Sequence, residues 1–470
     1  MPDRHDDVDA WLSERIEPLP PPPGTFDLIK RRARRRRYRK LAITAGSAAV
    51  IVAAAVTVPQ VVNLPVLNPK PAAAPVGAQS RSTVPSVSSS ASGASGNGNQ
   101  AASSAVSARP GVGPVPGNFR PTSVTFVGPR TGWVIGQALT PGHCATQVCT
   151  SVARTNDAGR AWIGVPAPMA GPPDGASGLS QIRFLDLTNG WAYGPQLYAT
   201  HTGGGHWAQV DTGGLRVTAL ETVGDRVFAV WASCTGDGPA YAVNCTRFTL
   251  YSASTAGGTW APVGASTTGL TNGAASEGAQ LVLTGSRGYM LAPGGELYAG
   301  PVDGSGPWTR VSSLVASCPV GPARGNGQPT GALLGAVNAS DLLLACVSAS
   351  GGTSPSVSTQ QKFVYSSKNG GVSWEQIATA PAAGVAFGLA ASPTQSVMLA
   401  TDQGIDLLPA GAMSWRTADV RGGAPAGGFR YIGMTTDEQG IALPADPSAG
   451  TVWFTFDGGQ RWTASRLNGS

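Results

Sequence analysis

The chain has 470 residues, of which 64 are Gly and 38 are Pro, and only 12% of its residues are charged. So many helix breakers with so few Glu, Lys and Arg exclude a coiled coil and a mostly helical protein. The length also argues against one compact domain spanning the whole chain, because single cores stop growing near ~250–300 residues. The net charge of +6 is concentrated near the N-terminus, where nine of the eleven residues from Lys30 to Lys40 are basic.

An apolar stretch without charges follows this basic run and predicts a transmembrane helix over residues 41–62. About 20 such residues cross a ~30 Å hydrocarbon core, and a Lys/Arg-rich flank stays cytoplasmic. Residues 1–40 are therefore predicted to be a cytosolic tail whose basic charges contact lipid headgroups rather than nucleic acid. A cleaved signal peptide is the alternative, although the forty residues before the stretch argue against it.

The composition of Pro21–Arg37 resembles the cytosolic leaders of actinobacterial single-pass membrane proteins, some of which are anti-sigma factors. Zinc-binding anti-sigma domains need His and Cys ligands, whereas this tail has one His, His5, and no Cys. Residues 63–118 are rich in Ala, Ser, Gly and Pro, and such a composition buries too little to offset its ordering entropy. They are predicted to be a flexible linker between the membrane anchor and the rest of the chain.

A repeat centred on Trp occupies residues 119–470. Seven Trp recur at spacings of 45, 53, 48, 66, 41 and 47 residues, at Trp162, Trp207, Trp260, Trp308, Trp374, Trp415 and Trp462. A second signature lies upstream of each Trp, and it is clearest where Phe126–Gly136 matches Phe184–Gly194. Each unit reads as four short strands in about 50 residues, which is a propeller blade. The sequence predicts an all-β, seven-bladed β-propeller with four-stranded blades.

The turn before these Trp residues resembles the Asp-box, or bacterial neuraminidase repeat, and the upstream signature resembles the repeats of photosystem II assembly-factor-like propellers. In the Asp-box turn the carboxylate or amide of residues such as Asp157 accepts backbone hydrogen bonds, and Gly allows a positive φ. The resemblance implies a structural role for Asp157, Gly159, Trp162, Trp207, Trp260, Asn369, Gly371, Trp374, Asp457, Gly459 and Trp462.

All six cysteines lie beyond the predicted anchor, on the side where disulfides persist. Fifteen pairings are open to six Cys, and proximity favours Cys144–Cys149, Cys234–Cys245 and Cys318–Cys346. A metal site is disfavoured because no C-x-x-C spacing occurs. His201 and His206 are interpreted as polar residues around a turn, so neither a metal nor a cofactor is expected.

The long loops at about 138–147, 233–245 and 349–360 join second to third strands and are predicted to share one propeller face, opposite the Asp-box turns. Loops on a rigid scaffold are where binding usually occurs. Mere variation in loop length is the alternative interpretation. The candidate contact residues on this face are His143, Gln147, Asp237, Tyr241, Arg247 and Arg324.

Asp-box propellers include sialidases, so hydrolysis must be weighed. Sialidase chemistry needs three Arg, a Tyr–Glu nucleophile pair and an acid/base Asp. Strand-end arginines exist at Arg183, Arg247 and Arg430, but no Glu stands beside a Tyr in a recognisable frame. The sequence therefore favours a membrane-anchored, extracytoplasmic protein-interaction scaffold that captures an envelope protein and catalyses nothing. A glycan- or cell-wall-binding module is the alternative, and a sialidase-like glycoside hydrolase is less favoured.

Overall fold

The computed structural model describes residues 113–139, 148–171, 178–235, 244–268, 278–293, 295–314, 318, 331–347 and 359–467. Within them the chain forms seven antiparallel sheets, each made of consecutive strands, as expected for seven propeller blades. The predicted cytosolic tail, membrane helix and nearly all of the linker lie outside these residues. The described part of the chain holds no helix that is long and apolar enough to cross a bilayer.

Blades 1 to 3 each pair four strands in chain order, with the first strand innermost. Their strands are β1 Arg120–Phe126, β2 Gly132–Leu139, β3 Val148–Thr155 and β4 Ile163–Val165; β5 Gln181–Phe184, β6 Gly190–Tyr193, β7 Leu197–Thr200 and β8 Ala208–Gln209; β9 Arg216–Val223, β10 Arg226–Thr235, β11 Asn244–Ser254 and β12 Ala261–Thr268. Gly113 also pairs with Gly164 at the outer strand of blade 1, so the chain already packs on this blade before the predicted start at 119.

Blades 4 to 7 repeat this order. Their strands are β13 Gln280–Leu283, β14 Arg287–Leu291, β15 Glu296–Pro301 and β16 Thr309–Ser313; β17 Gly331–Ala336, β18 Leu342–Val347, β19 Lys362–Ser367 and β20 Glu375–Thr379; β21 Ala386–Ala391, β22 Val397–Thr401, β23 Gly404–Leu408 and β24 Arg416–Thr417; β26 Phe429–Met434, β27 Gly440–Pro444, β28 Thr451–Thr455 and β29 Arg461–Arg466. The connection from blade 6 adds β25, Asp419–Val420, in parallel to the outer edge of blade 7.

Seven apolar clusters form the core of the described part of the chain, and each lies between two adjacent blades. Strand residues alternate between the two faces of a sheet, so every blade offers one apolar face to each neighbour. Between blades 1 and 2, for example, Trp133 stacks on Phe184 with a centroid distance of 3.8 Å. The cluster between blades 7 and 1 includes Phe454 and Trp162. Blade 7 therefore packs against blade 1 as any other pair of neighbours does, and this closes the ring.

The first strand of each blade runs from one face of the ring to the other, which fixes where each loop lies. We call the side that carries the second-to-third-strand loops and the blade connections the loop face. The turn face carries the first-to-second-strand turns and the Trp-containing turns. The bounds of two predicted loops were wrong. Residues 138–139 belong to β2, and residues 233–235 and 244–245 belong to β10 and β11, so Cys234, Cys245 and Arg247 lie in strands.

Candidate binding site at the central channel

Three polar side chains of the innermost strands lie close to one another inside the ring: Arg183 of blade 2, Glu221 of blade 3 and Tyr431 of blade 7. Blade 1 separates blades 2 and 7, yet the charge of Arg183 lowers the pKa of Tyr431, against the larger effect of burial that raises it. Such an influence across two non-adjacent blades requires both side chains to face the space at the ring axis. We call this space the central channel.

Arg183 and Glu221 form an ion pair in this channel. The Nε of Arg183 lies 2.8 Å from Oε1 of Glu221, and the two side chains are 18% and 29% exposed. Arg183 also donates from Nη1 to the carbonyl of Ile182 at 3.1 Å. Burial alone would lower the pKa of Arg183, but the carboxylate of Glu221 more than compensates and raises it. The charge of Arg183 is therefore already neutralised within the protein.

Two tyrosines lie beside this pair. Tyr193 donates its hydroxyl to the carbonyl of Leu220 at 3.4 Å. Burial raises the pKa of Tyr193 to about 12 and also raises the pKa of Tyr431. The adjacent Glu221 raises both further, since a second negative charge disfavours a phenolate. Both phenols are therefore neutral at physiological pH and act as hydrogen-bonding groups.

Arg430, the residue before Tyr431 on β26, is a half-buried cation without an acidic partner among the described residues. Its Nη2 donates to the carbonyl of Pro121 in blade 1 at 2.7 Å. No described carboxylate lies within ion-pair distance of it, and burial lowers its pKa. A register shift between Phe429 and Tyr431 leaves Arg430 at a β-bulge, which re-aims a side chain relative to a regular strand. An enclosed and unneutralised guanidinium favours an incoming anion.

The inner strands of blades 4 to 6 differ from those of blades 2, 3 and 7. Their half-buried residues are largely apolar: Val282, Leu333, Phe387 and Leu389. Phe387 occupies the bulge position that corresponds to Arg430, because the register of β21 shifts between Ala386 and Gly388. One half of the ring therefore presents charged and hydroxyl groups at its innermost strands and the other half presents apolar groups.

Of the six candidate contact residues predicted from the loops, the structure describes one. Arg247 is exposed near the loop-face end of β11, where it pairs in register with Ser233 and Thr268. His143, Gln147, Asp237, Tyr241 and Arg324 lie outside the described residues. The channel residues Glu221 and Tyr431 were missed as candidates, since nothing in the sequence shows that blades 2, 3 and 7 bring their inner strands together.

The Trp-containing turns on the turn face are held by side-chain to backbone hydrogen bonds. In blade 1, Oδ1 of Asp157 accepts from the amide of Ala161 at 3.0 Å and from the hydroxyl of Thr155 at 2.8 Å. Burial alone would raise the pKa of Asp157, but these bonds lower it overall. Gly159 has a φ of 80°, and a Cβ there would clash with the ring of Phe454. These residues hold the turn rather than contact a ligand.

A hydroxyl two residues before the Asp or Asn position recurs in four of these turns. Thr155, Thr200, Ser367 and Thr455 each accept a hydrogen bond from the amide of the glycine four residues on, at 2.8–3.1 Å. Asn369 and Asp457 accept amide bonds as Asp157 does, and the equivalent residue of blade 2 is Thr202. The hydroxyl was not among the predicted structural residues, although a Ser or Thr occupies that position in all four copies.

The tryptophans of these turns pack against the blades, with their indole nitrogens satisfied in several different ways. Trp162 donates to Ser465 of blade 7, Trp207 to the carbonyl of Pro166 in blade 1, and Trp462 to Gly459 within its own turn. Trp260 is half-buried beside Trp231. The Nε1 of Trp374 is buried without a hydrogen-bond partner among the described residues.

Two of the three predicted disulfides are confirmed. Cys234 and Cys245 are bonded across the β10–β11 hairpin, and Cys318 is bonded to Cys346 of β18. Cys149 is also disulfide-bonded, while Cys144 lies outside the described residues. Disulfides persist in oxidising compartments. The bonded cysteines therefore indicate that the propeller works outside the cytoplasm.

The fold defines the chain as a seven-bladed β-propeller of four-stranded blades. No protein-family model matches it, and no curated protein is significantly similar to it in sequence.

Among solved structures, the chain is similar to YCF48 bound to a D1 peptide, with 16% identity over 61% of this chain and 80% of that one and a TM-score of 0.40. YCF48 from Cyanidioschyzon merolae has 14% identity over 62% and 85%, with a TM-score of 0.40. The GH74 enzyme of Niastella koreensis has 12% identity over 74% and 66%, with a TM-score of 0.35. At this level of identity and overlap, the likeness concerns the fold alone.

Proposed function

We propose that the propeller is a membrane-anchored, extracytoplasmic scaffold that binds an envelope protein and catalyses no reaction of its own. The observation that carries this proposal is Arg430, an enclosed cation on the innermost strand of blade 7 without an acidic partner among the described residues. Keeping such a charge buried is costly unless something neutralises it. A carboxylate from a partner, either a side chain or a chain terminus, would supply that neutralisation.

The mode of recognition follows from the position of Arg430. It is the second residue of β26, whose first residues lie near the loop face. An acidic segment inserted from the loop face would meet the guanidinium of Arg430 and the neutral hydroxyl of Tyr431, both of which can donate hydrogen bonds. The predicted long loops of blades 1, 3 and 5 would surround such a segment. The apolar inner strands of blades 4 to 6 would contact its apolar side chains.

The arrangement of charges in the channel opposes glycoside hydrolysis, even though Arg, Tyr and Glu are all present. A carboxylate that serves as general base or acid must be free to exchange a proton. Glu221 is instead held by Arg183 at 2.8 Å. A nucleophilic tyrosine needs access to its phenolate, whereas burial raises the pKa of both Tyr193 and Tyr431. These observations support a binding role over sialidase-like chemistry.

The experiment is in-cell cross-linking followed by affinity capture of the full-length protein from native membranes. Wild type is compared with Arg430→Met, which removes the charge but keeps the aliphatic stem, and with Arg461→Met as control. Arg461 is an exposed arginine at the start of β29, near the turn face. We expect recovery of an envelope protein to fall roughly tenfold or more in the Arg430 variant and to be unchanged in the control, given the strength of charge-assisted hydrogen bonds.

Equal recovery of every captured protein with both variants would contradict the proposed site. Full-length protein is also incubated with a fluorogenic sialoside. Turnover that is lost in Glu221→Gln would show that the channel catalyses hydrolysis and would overturn the claim that the protein is only a scaffold.

A further inference from the structure

A groove lies on the turn face between blades 7 and 1, away from the loop-face mouth of the channel. It has a volume of 710 Å³, and the residues that matter for its chemistry are Arg130, Arg160, Asp437, Glu438, Gln439 and Phe456. This volume is within the range of about 300–1,000 Å³ that small-ligand sites occupy. The groove uses the turns of both blades, so it exists only in the closed ring.

Phe456 is an aromatic platform in this groove. One side of its ring stacks on Phe454 at a centroid distance of 6.1 Å and an interplanar angle of 9°, yet the residue is 55% exposed. The equivalent residues in the other three hydroxyl-containing turns are polar and exposed: Asn156, His201 and Lys368. The turn therefore does not require an aromatic side chain, and the exposed ring of Phe456 has no structural explanation within its own repeat.

Gln439 is a buried polar residue of the groove lining. Its residue is 3% exposed, and its Nε2 donates to the carbonyl of Pro129 at 2.9 Å, which fixes the orientation of the amide. The Oε1 atom is then a buried acceptor with no hydrogen-bond partner among the described residues. The bond to Pro129 joins the blade 7 and blade 1 walls of the groove through Gln439, and the buried Oε1 is not accessible to a ligand.

The charges around the groove are of both signs. The exposed arginines Arg130 and Arg160 and the carboxylate of Asp157 come from blade 1, and the carboxylates of Asp437 and Glu438 come from blade 7. Asp437 also accepts from the amide of Thr394 at 2.8 Å, so its position is fixed. Mixed donors and acceptors suit a neutral polyhydroxylated ligand better than a strongly charged one.

We propose that this groove is a binding site for a neutral saccharide, with one pyranose ring stacked on Phe456. The C–H face of a pyranose packs on an exposed aromatic ring, while its hydroxyls both donate and accept hydrogen bonds. Arg130 and Arg160 then donate to the sugar oxygens, and the exposed carboxylate of Glu438 accepts from its hydroxyls. A protein partner is disfavoured here because Phe456 is the one large apolar side chain of the lining. The protein would thus bind a glycan on its turn face, independently of the channel.

The test is isothermal titration of the full-length protein, in a detergent without a sugar headgroup, with cellohexaose, chitohexaose and maltohexaose. We expect at least one of the three to bind, and Phe456→Ser to weaken that binding tenfold or more. Phe456→Trp should keep the binding within about threefold, because it preserves the stacking surface. The matched control is Leu187→Ser, which removes another apolar side chain of the turn face that is 54% exposed.

Failure of all three oligosaccharides to bind would overturn the proposal, and so would binding that Phe456→Ser leaves unchanged. An equal loss of binding in Leu187→Ser would also overturn it, since the effect would not be specific to the groove. Arg430→Met is included in the titrations and should bind the saccharide like wild type, which separates this site from the channel.

Discussion

The indole Nε1 of Trp162 in blade 1 donates a hydrogen bond to the hydroxyl oxygen of Ser465 in blade 7 at 3.1 Å, although 303 residues separate them. The hydroxyl of Ser465 in turn donates to the carbonyl of Gly159, on the same turn as Trp162. Among the described residues no strand is exchanged between the two blades, so the ring closes through this relay, the apolar cluster around Phe454 and the bonds from Gln439 to Pro129 and from Arg430 to Pro121.

Removing the hydroxyl of Ser465 should therefore weaken the ring closure. Ser465→Ala leaves the indole nitrogen of Trp162 and the carbonyl of Gly159 without this partner, and we expect the free energy of unfolding to fall by about 1–3 kcal/mol. Urea unfolding followed by tryptophan fluorescence measures the change. Thr463→Ala, an exposed position on the same strand, is the control and should shift the free energy by no more than about 0.5 kcal/mol. Equal effects of the two changes would show that the relay does not stabilise the ring.

The hydroxyl of Thr155 should be as important to its turn as the carboxylate of Asp157. It bonds the amides of Asp157 and Gly159 and the Oδ1 of Asp157. Thr155→Val keeps the shape of the side chain but leaves the amide of Gly159 unpaired, so we expect the free energy of unfolding to fall by about 1–3 kcal/mol. Thr463→Val is the matched control and should be close to neutral. The urea midpoints of the two variants are compared with that of wild type. A Thr155→Val variant as stable as wild type would contradict the role of the hydroxyl.

The repeating part of the fold could be predicted because each blade carries its own signals. The spacing of residues such as Trp162, Trp207 and Trp462 gives the number of blades, and local proximity gives the pairing of Cys234 with Cys245. Both depend on contacts within about fifty residues, where chain order and spatial order agree.

The channel could not be predicted in the same way, because its residues meet through the curvature of the ring. Arg183 and Glu221 are neighbours because they occupy equivalent positions on two inner strands, and Tyr431 reaches them across the axis from the far end of the sequence. The bulge that re-aims Arg430 is likewise set by the register with β27 and has no marker in the sequence. The strand β25 was missed because two residues are too few to show a period.

Asp406 should make the stability of the propeller fall as the pH rises from about 4 to 6. It is 7% exposed in β23, its Oδ2 has no hydrogen-bond partner among the described residues, and burial raises its pKa to about 6. The unfolded carboxyl loses its proton near pH 3.8, so between these values the folded state binds one more proton than the unfolded state. The free energy of unfolding then decreases with rising pH.

Two other charged groups influence the pKa of Asp406 directly or indirectly. The buried Lys362 lowers the pKa of Asp406, and Asp402 acts on Lys362 in turn. Carboxylates with lowered pKa values, such as Asp186 at about 2, give the opposite slope at lower pH. We therefore compare wild type with Asp406→Asn by urea unfolding at pH 4, 5, 6 and 7. The difference between the two should change over this range and level off above pH 6; parallel curves would refute the assignment.

Breaking the ion pair between Arg183 and Glu221 by replacing one partner should destabilise the protein, whereas replacing both partners should change its stability little. Glu221→Gln leaves the guanidinium of Arg183 enclosed without an anion, so we expect the free energy of unfolding to fall by about 3 kcal/mol. Replacing both residues, Arg183→Met with Glu221→Leu, removes the charge and the cost of its desolvation together, and we expect a change within about 1 kcal/mol of wild type. A double-mutant cycle by urea unfolding measures the coupling; additive losses would show that the two residues do not stabilise each other.

Glu221→Gln also tests whether the channel favours an anionic partner. In wild type, Glu221 neutralises Arg183, so Arg430 is the cation left for an incoming carboxylate. Glu221→Gln frees the guanidinium of Arg183, and we expect a partner that binds through its carboxylate to be retained more strongly in cross-linking capture, while Arg430→Met retains less of it. If Glu221→Gln instead lowered recovery while the purified variant remained folded by tryptophan fluorescence, Glu221 itself would be a contact for the partner, and the channel would recognise a cationic group.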